Sequence, residues 1–340
     1  MLLMIGLQMA QRAPKPRSKA VNTSHIPNGM STPLHLFMPL LQEIAELKRV
    51  TSAQMAGHSV AAQRFSGVWH ALIAGHDPAV LARRELAAAA LHTLLGPIDD
   101  AALADCGISA SRRAEIYRTV VEQIFARFDG VVVHRLKDAT QDLVDPPVLE
   151  ARPLQMAPPF IALLAAQPRA GAVALDAPRL VLTPQENHAE HCWSVAVMAA
   201  GLAMCWHDGA DDRVLGDVFL LGLAHHFPNA WLPDGGFAAE VVLERDLVDI
   251  FDGLNARALA MLPARLADRC RAVLAQKDTD ESTLGMIFNA ADVIDRVMQQ
   301  RHHDAQASFR LAEATQTRGL VHEGPLQAFH NRILTEAGLI

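Results

Sequence analysis

Apolar residues recur along most of this chain at intervals of three and four positions, the spacing that places them on one face of an α-helix. Beyond residue 33 such stretches follow one another with few interruptions. Apolar and polar residues hardly ever alternate in the way that predicts a half-buried strand. A run of valines at 131–133 could form a short strand, but it continues into a helical pattern. The pattern therefore predicts an all-α protein.

Capping residues and helix breakers divide this pattern into predicted helices. Proline or a short polar side chain precedes most of them, and glycine or proline often follows. The predicted helices span about 33–47, 61–74, 79–95, 100–107, 111–128, 186–206, 214–226, 240–253, 256–275, 281–302 and 324–337. The segment 214–226 is apolar nearly all round, which predicts a position inside a helical bundle.

Length and proline content predict the domain organisation. A chain of 340 residues fits two domains. We predict that residues 1–32 form a flexible leader, because the stretch from residue 11 onward is rich in Pro, Ser, Lys and Asn. A helical lobe is expected over 33–150, a proline-rich linker over 151–183 and a second helical lobe over 184–340.

Composition and charge exclude several classes of protein. With 51% hydrophobic and 20% charged residues the chain is globular rather than disordered. A net charge of −7 argues against a nucleic-acid polymer as partner, and no apolar run reaches the about 18–20 residues of a membrane span. The four cysteines lie far apart, so we expect no disulfide framework and a cytoplasmic location.

Four of the sixteen histidines are placed where a helical bundle can bring them together. His191 lies in the first turns of the predicted helix 186–206, with His188 one turn earlier on the same face. The adjacent pair His225 and His226 ends the next helix, where it either caps carbonyl groups or converges with His191 on a metal. Spacing alone favours capping. We assign no role to the histidines in polar C-terminal surroundings, which are His302, His303, His322 and His330.

A carboxylate in an apolar helix would complete such a metal site. Asp292 lies in the stretch GMIFNAADVIDRVM. Three imidazoles and one carboxylate suit a divalent transition metal such as Fe, Mn, Co, Ni or Zn better than Mg.

Three phrases of the second half resemble the HD superfamily of metal-dependent phosphohydrolases. They are ENHAEHCWSVAVMAAGLA, LLGLAHHFPNAWLPDGG and FNAADVIDRVMQQ, within about residues 184–305. The first phrase is similar to the 5′-deoxynucleotidase branch. The resemblance implies an all-helical bundle that holds a divalent metal through His191, His225, His226 and Asp292. It also implies hydrolysis of a small phosphoester such as a nucleoside monophosphate.

Two positions depart from the family's pattern. His226 replaces the aspartate of the His-Asp pair, and Asn229 replaces the glutamate that orients the attacking water. An amide takes no proton, so we expect water activation at Asn229 to be impaired. By resemblance, Asp234 contacts the substrate sugar. Trp231 follows the histidine pair by five residues, which places it to line the pocket mouth. Arg179 corresponds loosely to a phosphate-binding arginine, although a solvated linker arginine explains it equally well.

The function therefore has three candidate forms. The first is a phosphohydrolase with a small phosphoester as its partner, and the second is an inactive HD-derived scaffold or signalling module. The third is an iron-dependent oxygenase of the same fold, but the segment between His226 and Asp292 offers no further histidine for a di-iron cluster. We expect no membrane partner, and apolar helix faces favour a homodimer.

Residues 52–150 are similar to a decayed copy of the same domain. Arg64 stands at the position of the first histidine, His92 and Thr93 at the pair, and Asp138 at the last ligand. Because only two of four ligand positions survive, we expect no metal there. Any bundle rich in Ala and Leu explains this similarity equally well.

Overall fold

The structure of this chain is a computed structural model. It describes residues 34–128, 130, 157–171, 183–206, 211–304, 311, 315, 320–321 and 323–340. The described residues form α-helices joined by turns and loops, without a β-sheet, which confirms the all-α class. No helix among them is both long and apolar enough to cross a membrane. The valines at 131–133 and the predicted leader 1–32 lie outside the described residues.

Twelve α-helices lie in the described residues. In chain order they are α1 (Leu34–Glu46), α2 (Val60–Ile73), α3 (Pro78–Leu95), α4 (Asp100–Asp105), α5 (Ala110–Arg127), α6 (Pro159–Ala166), α7 (His188–Trp206), α8 (Asp212–Ala224), α9 (Gly236–Leu259), α10 (Ala264–Leu274), α11 (Thr283–Asp304) and α12 (Gln327–Glu336). Asp77, Ser109 and Asp211 cap α3, α5 and α8 by accepting hydrogen bonds from first-turn N–H groups, as expected for short polar residues there.

The predicted break between 253 and 256 is wrong. The helix α9 continues through Gly253 to Leu259, and Pro263 then precedes α10. A glycine inside a helix costs only about 1 kcal/mol, which packing in the bundle readily outweighs. Proline favours a helix start because its fixed φ suits that position.

Helix α7 lies at the centre of the bundle. All of its residues except Met204 are buried, and it packs against α2 and α3 from the first half of the chain and against α8 and α11 from the second. Within the predicted linker 151–183, α6 adds Phe160, which packs edge-on against Trp69 and Phe227. The described parts of both halves therefore share one core. The predicted lobe boundary falls mostly in residues 129–156 and 172–182, beyond what is described, and stays a prediction.

A hydrogen-bonded cap fixes the start of α7. Asn187 Oδ1 accepts from the backbone N–H of Glu190, and Glu190 Oε2 accepts from the backbone N–H of Asn187, a reciprocal capping pair. Ser59, at the start of α2, donates to Glu190 Oε1. Glu190 is thus committed to the cap, consistent with its position away from the face of His191.

Helices α7 and α8 cross at a distance that requires glycine. A Cβ atom on Gly222 would lie 2.5 Å from the Cα of Ala196, far inside van der Waals contact. His225 follows Gly222 by three residues, and His191 precedes Ala196 by five. The close crossing therefore brings the end of α8 beside the first turns of α7.

Candidate metal centre

Three histidines predicted as ligands meet where α7 and α8 cross. His191, His225 and His226 each place one ring nitrogen so that the three atoms lie within 4.8 Å of one another. His191 and His225 are fully buried. His226 is half-buried, so solvent reaches the cluster from its side.

The hydrogen bonds behind His191 and His225 determine where their lone pairs point. His191 Nδ1 lies 2.7 Å from the Asp295 carboxylate, and His225 Nδ1 lies 2.7 Å from the Gly222 carbonyl oxygen. Because both partners only accept, each Nδ1 donates to its partner and each Nε2 faces the cluster, where it can ligate a metal in the ring's neutral form. The two Nε2 atoms face each other at 3.1 Å. Two lone pairs this close repel each other unless a cation or a proton lies between them.

The orientation of His226 depends on Asn229. His226 Nδ1 lies 2.7 Å from Asn229 Oδ1, while the Asn229 amide nitrogen donates to the Leu232 carbonyl oxygen at 3.4 Å. The second contact assigns the amide oxygen to the histidine, so His226 also keeps its Nε2 lone pair free. Asn229 therefore orients a ring of the cluster, a role that needs no proton transfer.

Asp292 on α11 reaches two of the three histidines. Its Oδ1 lies 3.2 Å from His191 Nε2 and 4.0 Å from His225 Nε2, and its Oδ2 lies 3.2 Å from the Arg296 guanidinium. Burial raises the pKa of Asp292, but Arg296 and His191 outweigh that effect and hold the pKa well below its usual value. The Nε2 atoms of His191 and His225 and the Oδ1 of Asp292 therefore lie within 4.0 Å of one another.

This donor set fits a divalent transition metal. Burial lowers the pKa of His225 to about 3 and the pKa of His226 well below its usual value, so both rings are neutral, the ligating form. Nitrogen ligands bind such ions at about 2.0–2.1 Å, and one ion therefore satisfies two nitrogens that lie 3.1 Å apart. Nitrogen-rich sites of this kind favour Fe, Co, Ni or Zn over Mg.

A second cluster of possible ligands, which is acidic, lies behind His191 and already contains two cationic side chains. Glu186, His191 and Asp295 bring ligand atoms within 4.8 Å of one another. The Lys48 ammonium lies 2.5 Å from Glu186 and 2.6 Å from Asp295, and the Arg169 guanidinium donates to Glu186 at 2.7 Å. Two cations thus balance two carboxylates, which favours an ion-pair network that orients His191 over a second metal site.

Sequence reasoning missed this network for identifiable reasons. Asp295 follows Asp292 by three residues on the same helix, so helical spacing could have found it. Lys48 and Glu186 carry no local signal, because 138 residues separate them. Arg169 lies in a segment that the proline content assigned to a linker.

The two predicted substrate residues that the structure describes, Asp234 and Trp231, both have partners within the protein. Both Asp234 oxygens accept backbone hydrogen bonds, from Ala170 and Gly236, and Oδ2 lies 3.9 Å from His188 Nε2. Asp234 thus ties the segment around Arg169 to the rim of the cluster. One face of Trp231 is covered by the Arg257 guanidinium, 4.3 Å from the ring centroid. Arg179 lies outside the described residues.

Several buried polar atoms around the cluster have no hydrogen-bond partner among the described residues. They include both ring nitrogens of His188, the Nε of Arg169 and the Nε of Arg296. The His188 ring lies 4.7 Å from that of His226, centroid to centroid. Buried polar groups are nearly always satisfied, so these atoms mark where atoms of a ligand or of water bind.

Two of the four C-terminal histidines are buried. His303 and His330 are only 2% exposed, whereas their neighbours in the sequence predict polar surroundings. Burial and the nearby Arg296 guanidinium lower the pKa of His330 to about 3, so it is neutral. His330 is buried because its helix, α12, packs against α11. The polarity of the neighbouring residues does not reveal that contact.

Comparison with known proteins adds no relative: no protein-family model matches the chain, and neither a curated protein nor a solved structure matches it.

Proposed function

We propose that this protein is a metal-dependent phosphohydrolase of the HD superfamily that acts on a small phosphoester such as a nucleoside monophosphate. The observation that carries the proposal is the close approach of the Nε2 atoms of His191 and His225, which face each other at 3.1 Å. A hydrogen-bond acceptor behind each ring holds its Nδ1 and so directs its Nε2 inward. Such an arrangement is stable when a cation occupies the space between the rings.

The residues have separate roles in this proposal. His191, His225 and Asp292 bind the metal from the buried side, and His226 binds from the side that solvent reaches. Asp295 and Asn229 hold His191 and His226 in the ligating orientation. Such hydrogen bonds behind metal ligands typically affect metal affinity as well as orientation. A divalent metal in this site supplies Lewis-acid polarisation of a phosphoryl oxygen.

Two guanidinium groups support a phosphoester as the substrate. Arg296 contacts Asp292. Burial lowers the pKa of Arg169, but the charges of Glu186, Asp234, Asp295 and Asp292 outweigh that effect and raise the pKa. Each has a buried Nε without a partner in the described part of the chain. Arginine donors recognise phosphate oxygens well because the guanidinium is planar and permanently charged.

One observation favours a second function, a metal-binding module without turnover. Asn229 Oδ1 accepts from His226 Nδ1, and no amide can act as a general base. A protein that binds metal stoichiometrically yet releases no phosphate would have this second function. An iron-dependent oxygenase gains no support from a specific observation.

Phosphate release tests the proposal directly. The purified chain is loaded in turn with Fe(II), Mn(II), Co(II), Ni(II) and Zn(II), and phosphate release from nucleoside 5′-monophosphates is measured. We expect release with at least one metal, and none with His225→Ala or Asp292→Ala. Equal release by these variants would overturn the proposal, and metal binding without release would favour the module instead.

A further inference from the structure

A groove lies between α9 and α10, and its lining includes no residue of the histidine cluster. Its volume is about 720 Å³, within the range of small-molecule sites. The chain turns back between the two helices within residues 260–263, so α9 and α10 run antiparallel. Lining residues recur at intervals of three and four on α9, as in Val248, Phe251, Asn255 and Leu259, and likewise on α10. One face of each helix therefore lines the groove.

The groove is apolar at the end next to the turn and polar farther from it. The lining next to the turn consists of Ala256, Leu259, Ala260, Leu262, Ala264 and Ala267. Most of these are alanines, whose small side chains leave the space between the helices open. All polar residues of the lining lie farther from the turn, among further apolar ones, and they are Asp252, Asn255, Asp268, Arg271, Lys277 and Asp278. This division fits an amphiphile, with its apolar chain toward the turn and its head at the polar end.

Carboxylates outnumber cationic groups at the polar end. The lining contains three aspartates, one arginine and one lysine. The only ion pair that the lining forms among the described residues joins Arg271 to Asp268, at 2.6 Å. Burial lowers the pKa of Lys277 more than nearby carboxylates raise it. These carboxylates belong to Asp278, Asp252 and Glu240. Because three carboxylates act on one ammonium, a cationic head is favoured over a carboxylate or a phosphate.

We infer that this groove binds a linear aliphatic amine. The chain lies against Leu259, Leu262 and Ala267 at the apolar end, and the ammonium lies near the carboxylates of Asp252 and Asp278. The chain supplies most of the affinity, because each CH₂ group removed from water contributes a similar increment. The head provides the specificity, since the carboxylate of a fatty acid meets an excess of like charge.

Isothermal titration of the full chain with hexylamine and octylamine tests the inference, with a chelator present because amines also bind metal ions. We expect saturable binding that tightens about fourfold for each added CH₂ group. Octanol and octanoate carry the same chain with a neutral and an anionic head. Octanoate should bind about fivefold more weakly than octylamine, with octanol between them.

Two variants of α9 with the same added ring assign the binding to the groove. Ala256→Phe fills the apolar end and should weaken octylamine binding about tenfold or more, because the ring displaces at least two CH₂ groups of the chain. Val242→Phe adds the ring at a side chain that is 79% exposed and outside the lining, and should leave binding unchanged. Ala256 is also exposed, so both variants should unfold at the temperature of the unaltered chain.

A third variant tests the head group. Asp252→Asn removes one carboxylate and should narrow the difference between octylamine and octanoate by about threefold. No saturable binding of octylamine up to about 1 mM would overturn the inference. So would octanoate that binds as tightly as octylamine, or octylamine binding that Ala256→Phe leaves unchanged or that Val242→Phe weakens equally.

Discussion

The Lys48 ammonium, in the turn that follows α1, lies 2.6 Å from the Asp295 carboxylate of α11, which in turn holds His191 Nδ1 at 2.7 Å. A residue from the first 50 positions thus supports a ligand of the candidate metal centre in the second half. All three side chains are buried. The first half of the chain therefore contributes to the site itself.

Replacing Lys48 tests this support. Lys48→Met leaves Asp295 without its cation and Glu186 with Arg169 alone. Breaking a buried ion pair by removing one partner costs about 3–5 kcal/mol, and we expect a loss of that size in urea unfolding. The control Arg112→Met removes an exposed pair with Glu115, and such pairs contribute at most about 1 kcal/mol. Similar losses of unfolding free energy in the two variants would show that the buried network contributes no more to stability than an exposed ion pair.

The glycine at the crossing of α7 and α8 gives a second prediction. A Cβ at Gly222 meets the α7 backbone at Ala196, whereas a Cβ at Gly253 on α9 meets nothing within 4 Å. Overpacking of this kind costs about 1–3 kcal/mol, so Gly222→Ala should unfold at lower temperature and bind metal less tightly. Gly253→Ala should gain about 0.5–1 kcal/mol, because alanine is the better helix former. If Gly222→Ala unfolds at the same temperature and binds metal as tightly as the unaltered chain, α7 and α8 can move apart at this crossing without loss.

Asn229 gives a prediction specific to the orientation of a ligand. Asn229→Leu removes the acceptor for His226 Nδ1, and loss of such an interaction typically weakens metal affinity about 10–100-fold. Asn229→Asp retains an acceptor and should restore most of the affinity, measured by competition with a chromophoric chelator. If Asn229→Leu binds metal as tightly as the unaltered chain, His226 is not held by this contact or is not a ligand.

Arg169 gives a prediction about substrate. Arg169→Met should raise the inhibition constant of inorganic phosphate about tenfold or more, because a hydrogen bond to a charged group contributes about 1.5–3 kcal/mol. Metal content measured on the same samples separates this effect from damage to the centre. Unchanged phosphate inhibition in a variant that retains its metal would remove Arg169 from the substrate site.

Helical periodicity predicted most of the fold, because an amphipathic helix carries its signal in neighbouring residues. It failed where packing outweighs local preference, as when α9 continues through Gly253. The trio His191, His225 and His226 could be selected because adjacent histidines at the end of an apolar helix are unusual. How closely their nitrogens approach depends on Gly222 and Ala196, whose contact between two helices has no local signature.

The surroundings of the cluster were beyond local reasoning. Lys48 and Asp295 are 247 positions apart, so only the folded chain brings their charges together. His330 was expected in polar surroundings, yet its helix packs on α11 and buries it. Burial of a polar residue in such cases follows from tertiary packing, which the pattern of a single segment does not contain.

The most direct test of the central proposal is elemental analysis of the purified chain together with His225→Ala and Asp292→Ala, each checked for folding by circular dichroism. We predict about one equivalent of a divalent transition metal in the unaltered chain, as its three imidazoles and one carboxylate favour, and a large loss in both folded variants. A chain that is isolated without metal and cannot be loaded, or variants that retain the full equivalent, would contradict the proposed metal centre.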